Sequence, residues 1–105
     1  MKTVKFQSIQ DPMMLFCAAS NFMERAERMP YKHDDVSPVD PQALLALVEV
    51  AETLGVIDSF SRSALGVSVL NDRQAIKAGE RPLKHGEAVS TLRYIVNQTK
   101  PIIFT

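Results

Sequence analysis

Two Asp-Pro pairs, each followed by apolar residues at helical spacing, constrain the fold of this chain more than any other feature of its sequence. Asp11 and Pro12 precede MMLFCAASNFMERAER, and Asp40 and Pro41 precede QALLALVEVAET. An aspartate can accept hydrogen bonds from the free amides of a helix's first turn, and proline suits the first helical position, which needs no N–H donor. Each pair therefore predicts the start of a helix.

The ends of these two helices are also marked in the sequence. Pro30 follows the first apolar stretch and Gly55 follows the second. Proline interrupts helical hydrogen bonding, and glycine readily adopts the left-handed conformation that closes a helix. The segment from Pro30 to Asp40 has neither a helical nor a strand rhythm, so we expect a loop there.

The remaining chain predicts three more helices. Two short ones are expected between Val56 and Gly79, the second of them capped by Asn71 or Asp72. HGEAVSTLRYIVNQT has apolar residues at helical spacing and predicts a last helix, which we expect Pro101 to end. The β-prone stretches TVKFQSI and IIFT predict one short strand at each terminus.

Composition excludes several classes of protein. The chain has 105 residues, of which 46% are hydrophobic, and this suits one modest core rather than disorder. Apolar runs such as ALLALV are far shorter than the roughly 20 residues needed to cross a bilayer. The N-terminus lacks the apolar block of a signal peptide, and Cys17 is the only cysteine. We expect a cytoplasmic protein without an internal disulfide, in which Cys17 is buried and unreactive.

Charge is distributed unevenly between the two halves of the chain. The formal net charge is zero, but residues 1–55 contain 5 Lys/Arg and 8 Asp/Glu, whereas residues 56–105 contain 7 and 4. Such an asymmetry is typical of a basic contact surface within a neutral chain, although a difference of this size also arises by chance.

The segments SRSALGVSVLND, IKAGERPL and STLRYI resemble the helix-turn-helix domains of small phage and bacterial regulators of the lambda-repressor-like kind. Leu65 and Gly66 correspond to the pair in the first motif helix, and the run from Gly79 to Pro82 corresponds to the stop after the second. The resemblance spans residues 41–99. It implies a helix-turn-helix core in 41–99. Together with the chain length and the local patterns, we expect a mainly α, compact single domain over residues 1–105, with a strand and helix in 1–30.

Two registers are open for the second motif helix. If it begins at Asn71 or Asp72, only about two turns fit before Gly79. If Ser68 caps it, the helix is longer, but Asp72 occupies a position where the family buries an aliphatic residue. Burying an unpaired carboxylate costs several kcal/mol, so we favour the shorter helix.

The resemblance implies a small sequence-specific DNA-binding transcriptional regulator of phage or bacterial type. Since no residues assemble a catalytic group, we expect neither enzymatic activity nor a cofactor. Arginine and glutamine can form paired hydrogen bonds with guanine and adenine, whereas lysine suits phosphate. The candidate DNA-binding residues are Ser61, Arg62, Ser63, Asn71, Arg73, Gln74, Lys77, Arg81 and Lys84. The alternative is a plain solvated helix pair.

A second hypothesis is a non-enzymatic protein-binding module, such as a phage-type adaptor or an inhibitor of a host protein. Its contact surface would be the acidic N-terminal half, with Glu24, Glu27, Asp34 and Asp35. Pairing of the terminal strands between two chains would give a homodimer, which matches the two half-sites that such regulators bind.

No other cluster predicts chemistry. His33 adjoins Asp34 and Asp35, but neighbouring loop residues rarely converge on one metal ion, so we expect no metal site. His85 lies at the start of the last helix, where we expect it to be exposed or capping. No Ser/His/Asp spacing or phosphate-binding glycine loop points to an enzyme.

Overall fold

The computed structural model describes residues 9–57, residue 69 and residues 71–104, and these are mainly α-helical. Four helices are bounded within them: α1 (Pro12–Arg28), α2 (Pro41–Thr53), α3 (Arg73–Lys77) and α4 (His85–Ile103). Among these residues, no helix combines the length and the apolar character that a membrane span requires.

Both Asp-Pro pairs begin helices, as the sequence predicts. The carboxylate of Asp11 accepts a hydrogen bond from the backbone N–H of Met14 at 2.9 Å, and that of Asp40 accepts one from Gln42 at 3.0 Å. Each proline occupies the first turn, where its missing N–H leaves no helical hydrogen bond unmade.

Two glycines close helices through a left-handed backbone. Gly55 has φ of +75° and follows α2, and Gly79 has φ of +79° and follows α3. The N–H of Val56 then bonds the carbonyl of Ala51, and the N–H of Glu80 bonds that of Ala75. These bonds satisfy carbonyls that the helix ends would otherwise leave without partners, so both predicted glycine stops are confirmed.

The core lies where α1 and α4 run antiparallel and α2 packs against them. Leu15 and Ala19 of α1, Leu44 and Leu47 of α2, and Leu92 of α4 have no exposed surface. Val69 and Ile76 join the same apolar cluster, as do Val39 and Leu83 from the loops. The helices are therefore held mainly by apolar burial along α4.

The predicted C-terminal strand is wrong for the residues that the structure describes. Instead, α4 continues through Pro101 to Ile103, and the N–H of Phe104 bonds the carbonyl of Lys100 at 2.9 Å. Proline's fixed φ is compatible with a helix, and the carbonyl of Asn97 that loses its partner belongs to an exposed residue near the helix end. Most of the N-terminal stretch TVKFQSI and the final Thr105 lie outside the described residues.

The loop between α1 and α2 is attached to the start of α4. Val36 and Lys84 form an isolated antiparallel bridge. The N–H of Ser37 bonds Leu83 at 2.7 Å, and those of His85 and Gly86 bond the carbonyls of Asp35 and His33 at 2.8 and 2.9 Å. These bonds hold the proline-containing loop along one edge of the molecule.

His85 is buried, contrary to the expected exposed or capping role. Its Nε2 lies 2.9 Å from the carbonyl oxygen of Ala26, and its Nδ1 lies 2.9 Å from the Ser37 hydroxyl. Because a carbonyl can only accept, Nε2 carries the hydrogen in the neutral ring and Nδ1 accepts from Ser37. The ring is buried because the loop folds over it.

Cys17 is exposed, and the expectation that it is buried is wrong. On α1 the buried positions are Leu15, Ala19 and Ala26, which share one face at helical spacing. Cys17 lies on the opposite side, together with Met13. Apolar residues of α1 are therefore also found on the side of the helix that faces away from the core.

Candidate functional site

The candidate DNA-contact region is built on α3, which lies against α2. Ile76 is 2% exposed and anchors α3 in the apolar core. At the end of α3, the side-chain amide of Gln42 donates to the carbonyl of Lys77 at 2.7 Å. One side of α3 is therefore fixed by the core, and the polar contacts that follow determine which side chains remain available.

Arg73 makes a two-pronged ion pair with Glu52 of α2. Its two terminal nitrogens each donate to one carboxylate oxygen at 3.0 Å. The hydrogen bonds to Glu52 are the main reason that the pKa of Arg73 is raised above its ordinary value. Such paired geometry fixes both position and orientation. Arg73 therefore holds α3 on α2 rather than extending from the surface.

Lys77 is one turn further along α3 and pairs more loosely. Its Nζ lies 3.4 Å from Glu49, and both side chains are about half exposed, at 49% and 57%. A pair of this kind contributes little to stability, and it can exchange its partner at small cost. Lys77 thus remains accessible to an anion in a way that Arg73 does not.

Arg81 connects the residue before α3 with the first turn of α4. It contacts Asp72 at 3.1 Å and Glu87 at 2.7 and 2.9 Å, and it also donates to the carbonyl of Pro82. The hydrogen bonds to Glu87 are the main reason that the pKa of Arg81 is raised. Glu87 also accepts from the N–H of Lys84 at 3.0 Å, which fixes the start of α4.

Asp72 does not cap α3 through its side chain, contrary to one sequence-based expectation. The carboxylate turns to Arg81 instead, and its side chain is 48% exposed. The burial penalty expected for the longer register is therefore absent at this position. The five-residue α3 begins directly after Asp72, and Val69 and Asn71 before it are helical as well.

The predicted site residues fall into three groups. Arg73 and Arg81 are engaged by carboxylates, and Lys77 is partly so. Asn71 and Gln74 are exposed and make no side-chain hydrogen bond within the described part of the chain, and Lys84, directly before α4, is also exposed. Ser61, Arg62 and Ser63 lie outside the described residues.

The acidic partners are what sequence reasoning missed. Glu49 and Glu52 precede α3 by more than 20 positions, and no local pattern indicates that they meet its cations. Their i,i+3 spacing on one face of α2 is the only signal available. The excess of cations in the second half of the chain is therefore largely compensated around α3 by carboxylates.

A cleft lies where the end of α1 meets the start of α4. It is a cleft of about 510 Å³ between the end of α1, the following loop and the first turns of α4. The rings of Tyr31 and His33 flank it, buried His85 contributes to its floor, and Arg93 pairs with Glu27 at its rim.

No metal site is evident within the described residues, where no three potential ligands come together. Of the His33–Asp34–Asp35 group, the Asp35 carboxylate accepts from the N–H of Lys32 at 2.8 Å and stabilises the loop. Asp35 therefore stabilises a turn of this loop.

Comparisons with protein-family models, with curated proteins and with solved structures found no match for this chain.

Proposed function

We propose that this chain is a non-enzymatic, DNA-binding transcriptional regulator in which the exposed edge of α3 contacts the major groove. The observation that carries the proposal is the two-sided character of α3. Ile76 and Arg73 fix one side of the helix to the core and to α2, while Asn71 and Gln74 extend from the other without partners in the described part of the chain. A fixed helix with free amide side chains is what base recognition requires.

The pairing pattern divides the candidate residues by role. Asn71 and Gln74 are the base-reading candidates, because an amide can both donate to and accept from the edge of adenine. Lys77 and Lys84 are exposed and suit phosphates, which position the protein without specifying sequence. Arg73 and Arg81 pair with carboxylates, so we assign them to positioning α3 rather than to contacting DNA. Ser61, Arg62 and Ser63, which lie outside the described residues, remain proposed DNA contacts on the basis of the sequence alone.

The compensated charge around α3 predicts how strongly binding depends on salt. Each lysine that neutralises a phosphate releases counterions, so affinity falls as salt rises. With only Lys77 and Lys84 proposed as phosphate contacts in the described part of each protomer, the dependence should be shallow for a DNA-binding protein. Most discrimination would then come from contacts with bases.

A titration of the purified chain against random-sequence duplex DNA tests the proposal. We expect weak binding at about 50 mM salt that falls about tenfold by 200 mM, and tighter binding to duplexes enriched from the random pool by repeated selection. Lys77→Glu should lower affinity for both DNA populations, whereas Arg25→Glu, the same charge reversal at an exposed position of α1, serves as the matched control. Absence of binding at the lowest salt would contradict the proposal.

A protein-binding module is the second candidate, and the exposure of four acidic residues favours it. Glu24, Glu27, Asp34 and Asp35 are all exposed. Glu27 pairs with Arg93 and Asp35 stabilises its loop, which leaves Glu24 and Asp34 as the strongest features of this surface. This function predicts salt-sensitive binding to a basic protein by a chain that binds no DNA, so the same titration separates the two candidates.

A further inference from the structure

An apolar surface remains uncovered where the start of α1 meets the end of α4. Met13 and Met14 are 48% and 42% exposed, and Ile102 and Phe104 are 50% and 65% exposed. The Phe104 ring contacts Phe16 edge-on, with centroids 5.4 Å apart, so the two helix ends form one surface. We call Met13, Met14, Phe16, Ile102 and Phe104 the terminal patch.

We propose that the terminal patch is the surface through which two copies of this chain form a two-fold symmetric dimer. The patch combines exposed aromatic and methionine side chains, which are enriched at the centres of protein interfaces. A contiguous exposed apolar patch on a small protein marks an interaction site more often than scattered apolar residues do. This inference stands independently of DNA binding.

The charges at the margin of the patch favour a second copy over an unrelated partner. Asp11 precedes α1, and Lys100 lies one turn before Phe104. Both are exposed, and neither forms an ion pair within the described part of the chain. In a two-fold interface each surface meets itself, so a patch that carries one acid and one base can place Asp11 of each protomer near Lys100 of the other.

The dimer replaces the strand pairing that the sequence suggested. The last residues before Thr105 are helical up to Ile103, so on this side no strand is available to pair. The same β-prone and apolar residues that predict a strand, Ile102 and Phe104, instead extend the exposed apolar surface. Helix-end packing would give the two-fold symmetry without a sheet.

Light scattering on a size-exclusion column is the first test. Across increasing protein concentration, the mass should rise from 11.7 kDa toward twice that value. Met13→Glu places like charges on both sides of the two-fold axis and should keep the chain monomeric. Val36→Glu is the matched control, because Val36 is 63% exposed but lies on the loop beside the opposite end of α4. Equal thermal unfolding of the two variants shows that folding is intact.

The pairing expected between Asp11 of one protomer and Lys100 of the other provides a second, independent test. Lys100→Glu should weaken dimer association severalfold when Asp11 is present, and less in an Asp11→Asn background, since asparagine preserves the helix cap without the charge. Cys17 is exposed beside Met13, so its alkylation by a maleimide should slow as the protein concentration rises.

Three results would overturn the proposal. One is a mass of 11.7 kDa at every concentration. Another is a dimer that Met13→Glu affects no more than Val36→Glu does. The third is a monomer that dimerises only after residues 1–8 are deleted, which would assign the patch to the chain's own N-terminal segment.

Discussion

His85 joins three parts of the molecule through one imidazole ring. It begins α4, accepts a hydrogen bond from Ser37 in the loop, and donates to the last turns of α1 at Ala26. Ser37 in turn accepts from the N–H of Val39, so the ring organises the loop as well as the helix contact. A histidine at 5% exposure with both nitrogens paired is a structural residue of the fold.

Replacing His85 should therefore destabilise the protein much more than replacing its exposed neighbour. His85→Ala removes the acceptor of the Ser37 O–H and one of the two donors to the Ala26 carbonyl, and it opens a void, which together cost about 2–4 kcal/mol of unfolding free energy. His33→Ala is the matched control, because the bond between Gly86 and the His33 carbonyl survives it. Urea denaturation measures both, and equal losses for the two variants would show that the His85 hydrogen bonds are unimportant.

The pair between Arg73 and Glu52 should be measurable as a coupling energy. Both side chains are about one-third exposed, which weakens the pair, but the two-pronged geometry orients it well. A double-mutant cycle with Arg73→Ala and Glu52→Ala should give a coupling of about 0.5–1 kcal/mol in unfolding free energy. The corresponding cycle for Lys77 and Glu49 should give a smaller value, and a larger coupling there would reverse the roles assigned to the two cations.

Elements whose signals are local are the ones that the sequence predicts well. Asp11, Asp40, Gly55 and Gly79 act on their own helix ends, and each behaves as expected. The end of α4 differs from the prediction that Pro101 ends the helix. Proline removes one hydrogen bond near the end of α4, and a contact with a distant part of the chain can offset that loss. Here Phe104 packs on Phe16, a contact between residues 88 positions apart that no local pattern contains.

Gly86 in the first turn of α4 shows the same dependence on distant residues. A Cβ at this position would lie 2.0 Å from Nδ1 of His33, so the glycine makes room for that ring. Gly86→Ala should lower the free energy of unfolding by about 1–2 kcal/mol, since the His33 ring must be displaced.

The sign of this effect should reverse once the ring is removed. In a His33→Ala background, Gly86→Ala should stabilise the protein by up to about 1 kcal/mol, because alanine favours the helix. Urea titrations of the four proteins measure both steps. Destabilisation of equal size in the two backgrounds would show that the His33 ring is not what the glycine accommodates.

At the scale of the whole molecule, the described part of the chain has distinct surfaces with different chemistry. The exposed edge of α3 offers free amides, the terminal patch is apolar, and the loop with the start of α4 encloses the histidine-lined cleft. The sequence predicted the helical core and the polar edge of α3. It did not predict the ion pairs or the terminal patch, because both arise only when α1, α2 and α4 meet.

The proposed dimer and the proposed DNA contact together predict one further property. Two-fold pairing would present two α3 helices to DNA in opposite directions, as a palindromic site requires. DNA affinity should then depend on protein concentration through the dimer, and Met13→Glu should weaken binding to a selected site without touching α3. Unchanged affinity in that variant would separate dimerisation from DNA recognition and leave each to be tested alone.

The most direct test of the central claim is the affinity of Gln74→Ala for a selected duplex, measured by fluorescence anisotropy. Loss of a base contact should weaken binding to that duplex about tenfold and leave binding to random-sequence DNA unchanged. Gln98→Ala on α4 is the matched control and should bind both DNAs as the unmodified chain does. If Gln74→Ala binds the selected duplex as tightly as the control, α3 does not recognise the DNA sequence and the account is contradicted.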